Sequence, residues 1–318
     1  MGVAMGVAGR TVLVTGAGRG IGRAEALHLA AAGANVVVND PGVGIDGRGG
    51  DAGVAAAVAD EIRRRGGRAV ADTGSVADWE AARRMVALAV AEFGDLHVVV
   101  NNAATEVNKG MEALTEEEFD GVVAVKVKGS FAVSHWAARY WRERFEAGER
   151  SDRAIVNTAS GSGLLNPLPT QSNYAAANAA VAAMTTVHAL ELKRFGVRVN
   201  CVSPSMVRTR LTAGVPAGER MTGPEVVAPV VTYLAGDGCP LTGQVLSVRG
   251  GSVAVNQGWS LGPRVGDESD VWSVEALAVA MDDVDVVDPF DALTAALGGA
   301  LGLSRREDVE AVVNAQLG

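Results

Sequence analysis

The chain has little of what would commit it to a special environment or a metal. Its two cysteines, Cys201 and Cys239, stand alone in 318 residues without metal-ligand spacing to a histidine. They build neither a disulfide framework nor a zinc site, and a reduced, cytoplasmic setting is expected. No apolar run reaches the roughly 18 residues that a membrane span needs. The amino-terminal MGVAMGVAGR lacks the basic region and long apolar core of a signal peptide, and reads as an alternative start at Met5 or an extension. Gly6 stands where a myristoylation signal needs Ser or Thr. Basic residues are nowhere concentrated enough for a nucleic-acid footprint. His28, His97, His135 and His188 fall on helix or strand patterns without triad or metal spacing, and are assigned to packing or surface. No metal is expected.

Hydrophobic residues make up 48% and charged residues 20%, the balance of a globular chain with a substantial core. The net charge of −9 is localised: from Ser260 onward there are 12 acidic residues and 3 arginines, leaving 25 of each sign before it. An acidic tail of this kind is a solvated face, or a surface for a basic partner.

Apolar, β-branched runs at Thr11–Thr15, Asn35–Asn39, Ala69–Asp72, His97–Val100, Ala154–Asn157, Arg198–Val202 and Gln244–Val248 alternate with helical patterns. Those patterns are Ile21–Ala32, Val54–Arg65, Asp78–Phe93, Glu116–Phe145 and Tyr174–Phe195. Runs too apolar to alternate are strands covered on both faces. The expected fold is α/β: a Rossmann-type, doubly wound, seven-stranded parallel sheet with an acidic C-terminal extension. Residues 9–255 form the domain; 256–318 are the extension, with an irregular crossing at Gly258–Asp270, an acidic stretch at Asp282–Asp291, and helices at Val274–Met281 and Asp308–Leu317.

The first run passes into Gly16-Ala-Gly-Arg19-Gly20-Ile21-Gly22, and a helix opens at once. In that context the glycines allow a tight turn and let backbone N–H groups approach a pyrophosphate at the helix N-terminus. Asp40, 18 residues beyond Gly22, ends the second strand. A carboxylate there accepts ribose hydroxyls and repels a 2′-phosphate, which favours NAD over NADP. Arg19 argues the other way, and Asp40 also suits a turn before Pro41-Gly42.

The glycine spacing, Asn101-Asn102-Ala103-Ala104 after the fourth strand, and Tyr174 with Ser160 upstream resemble the short-chain dehydrogenase/reductase family over about residues 9–255. Val36–Asp40 with Gly44–Gly47, Lys128–Phe131, and Gly258-Trp259 before Gly262-Pro263 are similar to the (3R)-hydroxyacyl-CoA dehydrogenase module of multifunctional enzymes and actinobacterial relatives. The resemblance implies hydride transfer between NAD and a hydroxyl or ketone carbon. It implies a cofactor cradle at Gly16, Arg19, Gly20, Ile21, Gly22 and Asp40, continued by Ser75, Val76, Asn102 and Ala103, and closed by Tyr174, Pro204, Val207 and Thr209. It makes Tyr174 the acid/base and Ser160 the polariser, with Ser162 an alternative from a shifted loop. The substrate is a small molecule, carrier- or CoA-bound; Leu164, Leu165, Leu168 and Leu211 suit either its apolar body or lid packing. Members pair through the long helices, so a homo-oligomer or a hetero-oligomer with a homologue is implied.

The catalytic positions depart from the family pattern. A phenol of ordinary pKa near 10 needs a neighbouring cation to work near neutrality. The family supplies a lysine four residues after the tyrosine; here that residue is Asn178. The family's asparagine on the preceding helix is replaced by Lys126, so the two residue types have changed places. Either Lys126 brings its ammonium into the same pocket, or it is a solvated helix lysine and the chemistry has changed. Ala104, Ser205 and Ser75 replace a glycine, a glycine and an adenine-contacting aspartate, and the Ser160–Tyr174 separation is one residue longer than usual. Three outcomes stay open: an oxidoreductase with a rearranged site, a non-catalytic partner of an active homologue, and a non-redox cyclase or dehydratase.

Overall fold

The computed structural model describes residues 6–213 and 221–258; beyond them it describes 273–282, 302–317 and single or short stretches between. Strands β1 (Thr11–Thr15), β2 (Asn35–Asn39), β3 (Arg68–Asp72), β4 (Val98–Asn101), β5 (Arg153–Thr158), β6 (Val197–Pro204), β7 (Val245–Arg249) and β8 (Ser252–Asn256) form one sheet, in the order β3-β2-β1-β4-β5-β6-β7-β8. All neighbours are parallel except the last pair. The expected seven-stranded parallel sheet is therefore corrected to eight strands. The two-residue Gly250-Gly251 turn folds Ser252–Asn256 back onto β7, with Arg249 opposite Ser252. A Gly-Gly pair between two alternating runs is a hairpin pattern, and the change of rhythm after Gly250 hid it.

The helices are α1 (Gly20–Ala31), α2 (Gly53–Arg64), α3 (Trp79–Phe93), α4 (Glu116–Val123), α5 (Gly129–Glu146), α6 (Ser172–Leu192), α7 (Ala228–Ala235), α8 (Val274–Asp282) and α9 (Arg306–Leu317). Sequence chemistry sets their ends. Asp78 caps α3 by accepting from the Ala81 N–H at 2.8 Å, and Thr115 with Glu118 forms a capping box on α4. The helical pattern Glu116–Phe145 is not one helix. A π-helical turn at Ala124–Lys128 separates α4 from α5, with the Gly129 N–H bonded to the Ala124 carbonyl. α7 opens with a proline in its first turn.

Alternation along the strands splits the core. Val12, Val14, Val100 and Val156 face α1 and α7 with Ala26, Leu29 and Val231. Leu13, Val99 and Ile155 face α3 and α5 with Met85, Ala132 and Trp141. Beyond the amino ends of β1, β5 and β6, Asp152 takes Arg10 at 3.0 Å and Arg198 at 2.8 Å, while Arg153 pairs with Asp95 at 2.7 Å. These pairs lie at the end of the sheet opposite the cleft. Strand order reverses between β1 and β4, and in open α/β sheets the crevice beyond the carboxyl ends at that point is the natural ligand site.

Candidate active site

A cleft of about 500 Å³ lies at that crevice. At one end β1 runs into the glycine turn, where Gly16 (φ +64°) and Gly20 (φ +55°) take left-handed backbone. A Cβ on Gly16 would come 2.8 Å from the Ala103 Cα, whereas one on Gly20 would meet nothing nearer than Thr209 at 3.7 Å. The turn is thus packed on its inner side and open toward the cleft, as a backbone cradle for a diphosphate requires. Asn102 holds it by donating to the Thr15 carbonyl at 2.9 Å, and the Thr15 hydroxyl accepts from the Asn102 and Ala103 N–H groups.

Asp40 accepts from the Gly18 N–H at 2.9 Å and the Gly42 N–H at 2.7 Å. It therefore shapes both turns, and each carboxylate oxygen keeps a further acceptor position for a ribose hydroxyl. Arg19 and Arg210 converge on the Val43 carbonyl, at 3.5 and 3.4 Å. Arg210 was not foreseen; its place directly after Thr209 was the available clue. Ile21, Ser75, Val76, Pro204, Val207 and Thr209 also line the cleft.

At the other end α6 presents Tyr174 and, one turn on, buried Asn178. Asn178 donates to the Tyr174 carbonyl at 2.8 Å, and its buried Oδ1 has no hydrogen-bond partner among the described residues. The Tyr174 phenol is pushed up to about 12 by burial and then by the charge of Glu106, with hydrogen bonding to Ser160 and Asn178 pulling the other way. Glu106, itself held high by burial, accepts from Gln171 at 2.6 Å. Ser160, not Ser162, is the serine that acts on the phenol; Ser160 Oγ also accepts from the Ser162 N–H at 3.2 Å. The loops flanking the site carry two non-glycine residues with left-handed backbone, Thr170 (φ 71°) and Met206 (φ 56°), and strain of this kind concentrates at functional sites.

Lys126 is not a solvated helix lysine. The π turn carries it into the cleft wall, where it is 1% exposed, and π turns inside helices recur at functional sites. Burial brings its ammonium down to about 8, opposed by Cys201 and Glu25. Lys126 is not among the charges acting on Tyr174 in this structure; Glu106 is.

The short chain dehydrogenase family model matches residues 10–220. The chain belongs to the short-chain dehydrogenase family. It is 45% identical to a short chain dehydrogenase from Mycobacterium avium of known structure, with a TM-score of 0.79 over 87% of this chain and 94% of that one. It is 35% identical to a hydroxyacyl-CoA dehydrogenase of Mycobacterium tuberculosis, covering 87% of this chain and 89% of the relative. It is also 35% identical to the mouse peroxisomal multifunctional enzyme type 2, over 76% of this chain but only 32% of that protein. Short-chain dehydrogenases are oxidoreductases that use NAD or NADP.

Within this short-chain dehydrogenase the cleft's apolar wall is shared out unevenly. Leu165, Leu168 and Leu211 line it, whereas Leu164 packs against Ala159, Val181 and Cys201 in the core. Leu168 also touches a small cluster of the C-terminal region, formed by Phe290, Leu293, Leu303, Val309 and Val313. This cluster thus rests on the loop that follows Ser160. Trp259, Gly262, Pro263 and most of Gly258–Asp270 lie outside the described residues. The histidines sit away from the cleft: His135 and His188 join an aromatic cluster with Trp79, Phe131 and Trp136, His28 bonds Thr232, and His97 accepts from the Thr11 N–H. Among the described residues no acidic, histidine or cysteine group of three could hold a metal, and no helix is long and apolar enough to cross a membrane.

Proposed function

We propose that this chain is an NAD(H)-dependent oxidoreductase that interconverts a carbonyl and a hydroxyl group on a partly apolar, CoA-bound substrate, working best in the reductive direction. The observation that carries this reading is Tyr174, held beside Ser160 across the cleft from an intact glycine cradle. Gly16, Gly20, Gly22, Asp40, Asn102 and Thr209 would hold the dinucleotide, which supplies or accepts the hydride when bound. Tyr174 donates its proton to the substrate oxygen as that oxygen gains negative charge, and Ser160 hydrogen-bonds the same oxygen. A phenol near 12 remains protonated at neutral pH, so it is ready to donate; as a base for alcohol oxidation it is seldom ionised. Lys126 adds positive charge from the cleft wall, with the free Asn178 Oδ1 as a partner its flexible stem could reach.

Several observations support the finer parts. Asp40 favours NAD by repelling a 2′-phosphate, and the CoA thioester class comes from the named activities of relatives. Residues 9–255 act as the catalytic domain and 256–318 as an extension buttressing the substrate loop through Leu168. The two buried free cysteines suit a reducing, cytoplasmic compartment. Exposed Phe131 on α5 with Val187 and Leu190 on α6 suits pairing of subunits through these helices.

The test is NADH consumption by the purified chain against a panel of 3-oxoacyl-CoA thioesters and free ketones, with NADPH in parallel. Turnover is expected with NADH, and Tyr174→Phe should lower it by about 10²–10⁴, the usual contribution of a positioned general acid. A second reading, a non-catalytic subunit paired with an active homologue, is favoured by one observation: among the described residues no cation acts on Tyr174. It predicts dinucleotide binding without turnover, and stabilisation of the homologue on mixing. Turnover that survives Tyr174→Phe undiminished overturns the first reading.

A further inference from the structure

Among the described residues six charged side chains line the cleft, and five of them have a place in the arrangement above. Asp40 caps two turns, and Glu106 accepts from Gln171. Arg19 and Arg210 meet at the Val43 carbonyl, and Lys126 is sealed in the wall. The sixth is Arg249, the last residue of β7. It is exposed, and its side chain has neither an ion pair nor a hydrogen bond among the described residues. The buried arginines at the opposite end of the sheet are all paired, Arg10 and Arg198 with Asp152 and Arg153 with Asp95. A lone arginine on an open surface is ordinary. One that faces a crevice without a counter-charge draws anions into it.

Alternation along β7 aims Arg249 at the cleft. Leu246 and Val248 point into the core beside α1 and α7, so Ser247 and Arg249 point the other way, where both line the cleft. Backbone contacts join this strand end to the catalytic serine. The Ser205 N–H donates to the Val248 carbonyl at 3.0 Å, and the Gly161 N–H, next to Ser160, donates to the Pro204 carbonyl at 3.3 Å. A Cβ on Gly161 would lie 3.5 Å from the Ser205 Cβ, so the ends of β5 and β6 touch. The strand order then gives a ruler. Arg249 is two strands from the end of β5, about 10 Å, and four strands from the glycine turn, about 19 Å. An arginine stem does not bridge the longer distance, so the cofactor's diphosphate is not its partner. β8 fixes the position. It adds no core, since Ser252, Val253, Ala254 and Val255 are exposed, but its ladder pairs Ser252 with Arg249 and holds the end of β7 extended. A side chain on a paired strand is placed more precisely than one on a loop.

We propose that Arg249 is a substrate anchor: its guanidinium binds an anionic oxygen group, phosphate or carboxylate, carried by the substrate on the side away from the cofactor. The planar fork of a guanidinium matches either anion with two parallel hydrogen bonds. The two acids of the cleft lie elsewhere, Asp40 beyond β2 and Glu106 in the loop after β4, so neither stands beside β7. The substrate class selected is therefore an anionic acyl compound, either a CoA thioester held by its phosphates or an acyl chain that carries its own carboxylate. Arg249 takes no part in the proton or hydride transfer. By fixing a remote group it restricts where the carbonyl can lie beside Ser160 and Tyr174.

This inference rests on the reading that the cleft beside Ser160 and Tyr174 holds a carbonyl substrate, and its test separates the two. Three thioesters of one 3-oxoacyl chain are compared in the full chain with NADH: the CoA ester, the neutral N-acetylcysteamine ester, and an N-acetylcysteamine ester whose acyl chain ends in a carboxylate. Arg249→Ala should raise the KM of an anionic ester by about tenfold, the worth of one charge-assisted pair, with kcat much less affected. Loss confined to the CoA ester identifies the phosphates as the anion; loss confined to the carboxylate ester identifies the acyl carboxylate. Arg249→Lys, which keeps the charge without the fork, should fall between parent and Arg249→Ala. High salt should weaken the parent's preference for the anionic ester, since the pair is exposed. Anionic esters whose KM does not move, or an equal rise for the neutral ester, overturn the proposal. If the parent shows no turnover, calorimetric titration of the NADH-loaded chain with CoA and with the carboxylate ester decides it. Binding that Arg249→Ala weakens keeps the anchor while the proposed activity fails; binding that is absent, or equal in parent and variant, overturns the anchor itself.

Discussion

The pH dependence of the two reaction directions offers the sharpest check on the reading of Tyr174. Burial and Glu106 raise its phenol from 10 to about 12. Two pH units correspond to about 2.7 kcal/mol against forming the phenolate. At pH 8 the ionised fraction is then about 10⁻⁴, against about 10⁻² for an unshifted phenol. Alcohol oxidation, which needs the phenolate as base, should climb about tenfold per pH unit from pH 7 to 10 without a plateau. Carbonyl reduction, which uses the protonated phenol, should stay nearly flat only up to about pH 8, where Lys126 loses its proton, and fall above it. Glu106→Gln removes the second cause of the rise and leaves the first, so it should speed oxidation at pH 9 by about threefold to tenfold and leave reduction unchanged. The assay is initial rate of NADH formation or consumption at saturating substrate, with kcat and kcat/KM fitted at each pH. A wild-type oxidation rate that levels off below pH 9, or a Glu106→Gln variant that oxidises more slowly, would refute the argument, because either result means that a cation reaches the phenol.

Three further outcomes follow from other parts of the molecule. Asp152→Ala leaves Arg10 and Arg198, both largely buried, without their shared carboxylate; it should cost about 3 kcal/mol, read as a lower urea midpoint with unchanged slope. Asp40→Ala removes two backbone-capping bonds and the charge facing a 2′-phosphate beside Arg19 and Arg210; the KM for NADH should rise about tenfold while that for NADPH falls, and adding Arg210→Ala should cancel the NADPH gain. Leu168→Asp puts a charge into the contact between the substrate loop and the C-terminal cluster; limited proteolysis should then cut the C-terminal region at least several times faster, with the urea midpoint of the main domain little changed.

The sheet and its glycine turn were readable because their causes are local. Strands such as Val36–Val38 and Val98–Val100 are apolar because both faces are covered, and a strand, a Gly-rich turn and a helix in sequence dictate the crevice between β1 and β4 whatever happens elsewhere. The rearranged site was half readable. The sequence shows that lysine and asparagine have exchanged places between positions 126 and 178, but a helical pattern cannot show that Ala124–Lys128 adopts π geometry, and that local rewinding is what carries Lys126 inward instead of to solvent. What stayed hidden depends on neighbours distant in the chain. Glu106 reaches Tyr174 and Arg210 reaches Val43 only after the topology has brought their elements together. Glu25 left a clearer trace than Arg210, an acid at a helix position whose neighbours three, one and four residues away are Gly22, Ala26 and Leu29. A charged residue on the buried stripe of an amphipathic helix contradicts the pattern that defines the helix, and such local contradictions are expected where function has overridden stability.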